Sequence, residues 1–194
     1  AVAQLRASGV QVEQVANGHD GASVAAMVRR IGAVTQTPVA AEALATDIED
    51  GFAAVAAAVE DLPPARVLLL LSAGAGPLLA AGAGTAAASI VALAGGEVAF
   101  PGMEGYRPVS PEAVLAADPD WVLVPAHVAQ VLGGPGPIAG LDTIRRCRAA
   151  REKRIAVADS LYLLGFGPRA PQAAADLAHL LHPSAAVPGL GRTQ

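Results

Sequence analysis

The apolar positions along the chain change period several times, and each period predicts an element. "GVQVEQV" (9–15) alternates apolar and polar residues as a half-buried strand does, so residues 1–14 read as helix end, turn and strand. "GASVAAMVRRIGAVTQ" (21–36) repeats at helical spacing. Pro38 punctuates, and the alanine-rich stretch from there to about Leu62 sets Leu44, Ile48, Phe52, Val55 and Val59 at three- and four-residue steps. A helix of about 25 residues spans about 37 Å at 1.5 Å per residue, enough to cross from one domain to another. "LPP" (62–64) ends it.

After Ala65 strands and helices alternate. "RVLLLLS" (66–72) and "DWVLVPA" (120–126) are short continuous apolar runs of the kind a parallel strand buried on both faces needs, and "RIAVAD" (154–159) is a third. Between them lie helical stretches: "GTAAASIVALAGG" (84–96), closed by glycines, "SPEAVLAAD" (110–118), and "LDTIRRCRAAREK" (141–153). A weak strand is expected near "EVAF" (97–100), and "APQAAADLAHLLH" (170–182) is the final helix. This order predicts an α/β fold, a Rossmann-like lobe in which helices cover both faces of a parallel sheet. Four segments follow: a βα remnant of another lobe (1–37), a long connecting helix (38–62), the α/β lobe itself (63–184) and a loose tail (185–194). With no initiator Met and no signal peptide, the chain reads as beginning inside a larger design.

Composition sharpens this picture. Of 194 residues, 53% are hydrophobic and only 15% charged, so material for a core is ample; aromatics, at 3%, are scarce, which favours close helix-on-sheet packing. Thirteen Lys and Arg against 17 Asp and Glu leave a charge of −4 and no broad basic face for nucleic acid. Val67 to Gly96 carries no charge, but Gly74, Gly76, Pro77, Gly82 and Gly84 break the run, so strand, glycine loop and buried helix explain it better than a membrane span. The single Cys147 excludes an internal disulfide.

Ligands of open α/β sheets bind at the carboxyl ends of the strands. The loops there would gather Tyr106, Arg107, His127, Tyr162 and Arg169 on one rim. The glycine stretch 74–84 fails the nucleotide fingerprints: Leu79 and Ala87 occupy the third glycine positions, and no GKS or GKT follows. Asp118 and Asp120 read as turn residues around Pro119, and His179 and His182 as companions of a helix C-terminus. Arg145, Arg146 and Arg148 around Cys147 would lower its pKa, yet no base or resolving cysteine accompanies it, so it reads as incidental. "EGYRPVSPEA" (104–113) is different. Ser110, Pro111 and Glu112 make a helix start, and Tyr106 and Arg107 fall on the connection before it. A tyrosinate is an axial ligand for haem iron, formed when the ferric ion draws off the phenolic proton, and an adjacent guanidinium favours the anion. A tyrosine packed under its loop explains the residue equally well.

Three stretches in order, "AAGAGTAAASIVALAGG", "EGYRPVSPEAVLAADPDWVLV" and "LLGFGPRAPQAAADLAHLLHP", resemble the haem (hemin) substrate-binding proteins of bacterial ABC importers. These belong to the cluster in which one long helix joins two α/β lobes, shared with cobalamin and ferric-siderophore binders. The resemblance implies a non-enzymatic carrier that holds haem, its transported ligand, in a cleft between lobes, with the N-terminal lobe largely absent here. By position Tyr106 matches the axial iron ligand of some of these proteins, with Arg107 its neighbour, whereas others take their tyrosine from the lobe largely absent here; Arg169 of "GFGPR" resembles a partner for a haem propionate. Glu112 then matches the second-lobe glutamate that docks onto the permease, and a further iron ligand is expected on the absent lobe, with His127 the weaker local candidate. Residues 72–74, Ser-Ala-Gly, offer no such side chain, and "RRCRAA" replaces the family's usual "TPA"-like stretch. The implied location is periplasmic or extracytoplasmic, with membrane contact only through the permease or a lipid anchor outside this chain. Three rivals remain: a cobalamin or ferric-siderophore binder on the same scaffold, a nucleotide-binding α/β enzyme domain, and an interaction-only lobe that, carrying half a site, binds no ligand.

Overall fold

The computed structural model describes residues 2–72 and 78–187. The N-terminal part holds α1 (Val2–Ala7), α2 (Gly21–Val34) and the long α3 (Pro38–Val59). Then follow β1 (Ala65–Ser72), β2 (Leu78–Ala83), α4 (Ala86–Leu93), β3 (Gly96–Val98), β4 (Phe100–Glu104), β5 (Tyr106–Pro108) and α5 (Pro111–Ala117). The chain continues through β6 (Trp121–Pro125), α6 (Ala126–Leu132), α7 (Pro135–Ala139), α8 (Arg148–Arg151), β7 (Ile155–Ala158), α9 (Ser160–Leu164) and α10 (Ala170–Leu181).

The sheet runs β4-β2-β1-β6-β7, with β3 also against β1 and β5 against β2. The β1–β6, β6–β7, β1–β3 and β2–β4 pairs are parallel, as the alternation of elements predicts. β2 is the departure: it runs antiparallel to β1, and β5 antiparallel to β2. Five residues separate β1 from β2, too few for the crossover that a parallel partner requires. The glycine-rich stretch expected to be a loop is thus in part a strand; residues 73–77 of it, and 188–194 of the expected tail, lie outside the described residues.

Alternation along the strands divides the interior into two cores. Val67, Leu69 and Leu123 face the layer of α2, α3, α4 and α10, while Leu68, Leu70, Val122 and Val124 face α5, α6 and α8. α3 therefore shares its core with the sheet and its last helix: Ile48, Val55 and Val59 of α3 are buried in the same cluster as Ala174 and Leu177 of α10. Its 22 residues make a rod about 33 Å long. α2 lies close on α3 because a Cβ at Gly32 would stand 2.1 Å from that of Ala41. Arg29 clasps the pair. Its guanidinium donates to Glu42 from Nε and Nη2, both at 2.9 Å, and to Glu49 from Nη1 at 2.8 Å and Nη2 at 3.1 Å.

Two expectations are corrected. Residues 10–18 form no strand: the alternation of "GVQVEQV" suits a sheet edge, but no strand among the described residues pairs with it. Residues 141–147 form successive tight turns rather than a helix, with Ile144 N–H on the Leu141 carbonyl and Cys147 N–H on that of Ile144, both at 2.9 Å. The three-residue step buries Ile144 and Cys147 together. No helix among the described residues is long and apolar enough to cross a membrane.

Candidate functional site

β6 and β7 deliver their side chains to the carboxyl edge of the sheet directly, because α6 and α9 begin within two residues of the strand ends. His127, in the first turn of α6, meets Ser160 at the start of α9, with Nδ1 3.2 Å from the hydroxyl. Asp159 caps α9 by accepting the Tyr162 N–H at 2.7 Å. The Tyr162 hydroxyl donates to Oδ2 of Asp176 on α10 at 2.8 Å. The Arg169 guanidinium stands 5.4 Å over the Tyr162 ring. Leu161, Tyr162, Gly165, Gly167, Pro168 and Arg169 border a hollow of about 150 Å³, with Leu161 77% exposed at its lip. Asp176 and Ser160 are contributors that sequence patterns do not single out, since each acts across an element boundary.

Tyr106 and Arg107 lie elsewhere along the sheet. They are not on a connection, as expected, but on β5, where Tyr106 pairs with Ala81 and Arg107 with Ala80. Four inter-strand steps separate β5 from β7, about 19 Å at about 4.8 Å each. Register places Tyr106 level with Leu69 and Leu123, three and two residues short of the ends of β1 and β6. Residues directly opposite on antiparallel strands share a face. Tyr106, opposite Ala81, therefore lies on the side of α4 and α10, and Arg107, opposite Ala80, on the side of α5 and α6. Both are exposed, Tyr106 to 36%, and Arg107 Nε donates to the Glu104 carbonyl at 3.3 Å. The structure thus groups His127, Tyr162 and Arg169 at one end and sets Tyr106 apart on the same face as α10, with Arg107 turned to the other.

β5 is held by a close backbone approach at Gly82. Its N–H donates to the Gly105 carbonyl at 2.8 Å, and its own carbonyl accepts from the Thr85 hydroxyl, also at 2.8 Å. Thr85 in turn caps α4 at Ala88 N–H, 3.0 Å away. Glu112 is exposed in the first turn of α5, behind the Ser110 cap. Its carboxyl is held below the ordinary carboxylate range by its own backbone N–H and the Ser110 hydroxyl, with help from Arg146.

The remaining candidates have structural roles. Asp118 Oδ1 accepts the Arg148 N–H at 2.8 Å, and Asp120 Oδ2 accepts that of Arg66 at 2.9 Å. His182 is buried and bonds the Gly95 carbonyl through Nε2 at 2.9 Å. Burial pushes the pKa of Cys147 up, against the lowering its arginine neighbours suggest, and Arg145 and Arg148 pair with Asp142 and Asp120 instead. Among the described residues no group of three or more His, Cys, Asp or Glu is placed to hold a free metal ion.

A lobe of this topology, spliced to a long helix and carrying polar residues at its strand ends, has the layout of a solute-binding protein. The family profile described as periplasmic binding protein matches residues 2–162, and the chain belongs to that family. Among solved structures, it is similar to the periplasmic haem-binding protein RhuT from Roseiflexus sp. RS-1, with 33% identity and a TM-score of 0.87 over 94% of this chain and 70% of that one. The haem-binding protein BhuT, solved with two haems, shares 32% identity and a TM-score of 0.85 over 93% of this chain and 69% of that one. For the haem-binding protein HutB of Vibrio cholerae the values are 27% and 0.85, over 94% and 72%. No curated protein sequence matches the chain significantly.

Proposed function

We propose that this chain is the haem-capturing component of an ABC importer, a carrier rather than an enzyme, working outside the cytoplasmic membrane. The observation that carries the reading is the similarity to RhuT and BhuT, both haem-binding, each above 30% identity across more than nine-tenths of this chain. The residues suit that cargo. Tyr106 offers a phenol oxygen from an exposed position on a braced edge strand, and as a tyrosinate it would ligate the ferric ion. Arg107, on the opposite face, contributes through its positive charge rather than by contact. Arg169 receives a propionate in a charge-assisted pair, and His127, held to Ser160 at that same end of the sheet and apart from Tyr106, contacts the ligand rather than sharing its iron.

Glu112 serves the membrane partner. It projects from the start of α5 as a carboxylate, a form that can pair with arginines of a permease. Tethering near the membrane comes through that permease or through a lipid anchor outside this chain.

The test is a titration of the chain with ferric haem, followed by absorbance, beside Tyr106→Phe. A saturable one-to-one complex with a high-spin tyrosinate spectrum, lost in the variant, is the expected result. Non-saturable uptake that is equal in both proteins would overturn the reading.

A further inference from the structure

The segment from Asp159 to Asp176 holds an arrangement that iron ligation does not call for. Tyr162 is tied at both ends. Its backbone N–H is fixed by the Asp159 carboxylate at 2.7 Å, and its hydroxyl by Asp176 at 2.8 Å. The ring thereby bridges α9 and α10, and the Arg169 guanidinium rests over it at 5.4 Å. Asp176 accepts the hydrogen bond of the phenol, and among the described residues Arg169 has no ion pair with Asp176 or any other carboxylate within 4.0 Å. A cation held on a ring face keeps its N–H donors available, and a guanidinium presents those donors as a planar fork that matches a carboxylate. Beside it lies the 150 Å³ hollow with its apolar lip at Leu161. A charged fork next to an apolar ledge is the surface that an apolar ring system with an acidic edge would meet.

We propose that Tyr162 is a positioning residue for the ligand's carboxylates. It holds Arg169 at the hollow, Asp176 holds Tyr162, and the chain consequently discriminates in favour of porphyrins whose propionates are free. This rests on the haem reading above and adds selectivity for the acidic edge of the cargo. An arginine side chain has many rotamers, and ordering one on binding is costly; a ring that orders it beforehand removes part of that cost.

The experiment compares ferric haem with its dimethyl ester as ligands for the wild type, Tyr162→Leu, Tyr162→Phe and Arg169→Gln. The wild type should prefer free haem. Tyr162→Leu should weaken haem binding about three- to tenfold, the range that an exposed to partly desolvated cation–ring contact supports, and leave the ester unchanged. Tyr162→Phe keeps the ring and should fall between the two. Arg169→Gln should abolish the preference altogether, and it keeps the proposal testable if Tyr162→Leu fails to fold. Equal loss for haem and ester in Tyr162→Leu, or a wild type that binds both alike, would overturn the assignment while leaving haem capture standing. A wild type that binds neither ligand would overturn haem capture and this assignment together.

Discussion

The imidazole of His19 packs on the ring of Phe166, with centroids 5.0 Å apart and planes inclined at 51°. His19 immediately precedes Asp20, the cap of α2, whereas Phe166 sits in the loop that leads to Arg169. The contact ties the N-terminal segment to the loop that carries the proposed carboxylate partner. Phe166 is buried and holds a φ of 43°, a conformation that side chains with a Cβ rarely adopt.

That backbone makes an unusual prediction. Phe166→Ala should destabilise the chain by about 3 kcal/mol through the cavity it leaves. Glycine usually costs more than alanine, but here it relieves the left-handed strain. Phe166→Gly should therefore be no less stable than Phe166→Ala, as judged from denaturant midpoints. A clearly lower midpoint for glycine would contradict the strain argument.

The Arg29 clasp predicts a pH dependence. Hydrogen bonds from Arg29 hold both Glu42 and Glu49 below their ordinary value of 4.5. Carboxylates with lowered folded-state values contribute stability above the unfolded value and lose it as pH falls through the folded one. The melting-temperature gap between wild type and Arg29→Met should thus be largest near neutral pH and close as pH drops below about 4.5. Because these side chains are partly exposed, added salt should narrow the gap as well.

Gly82 predicts a link between packing and the candidate iron ligand. A Cβ there would lie 1.8 Å from the Met103 carbonyl oxygen, a backbone atom that cannot step aside. Gly82→Ala should cost about 1–3 kcal/mol, as overpacking does, and should displace β5 with Tyr106. Haem affinity should fall in the variant even at temperatures where it remains folded. Gly102→Ala, where nothing lies within 4 Å, is the control and should bind normally.

Much of the scaffold was legible because it depends on local patterns. The short apolar runs that follow Arg66 and Asp120 are strands because a sheet buried on both faces uses such runs, and Ser110 and Thr85 announce the helices they cap. The helical face of α3 was readable too, although Leu44 in its apolar stripe is 38% exposed and Ala41 and Ala45 are buried instead. What depended on partners was not readable. β2 has no β-branched residue and becomes a strand only through its neighbours, whereas residues 9–15 alternate like a strand and find none. The candidate site divides the same way: the sequence places Arg169 before the last helix, but the Tyr162 ring beneath it and the Asp176 carboxylate behind that ring meet only through the packing of α9 on α10. The opposite facing of Tyr106 and Arg107 likewise follows from a register that no local pattern encodes.

The two cores on either side of the sheet also set a timetable for the molecule's motions. β1 and β6 are covered from both sides, so their amides should be reached by solvent only when the whole fold opens, and deuterium should enter them last. The layer of short helices behind Val122 and Val124 shares no core with α3. It can loosen without disturbing the long rod, so its amides should exchange earlier. Tyr106 stands on the rod's side of that division, and Arg107 on the side that breathes.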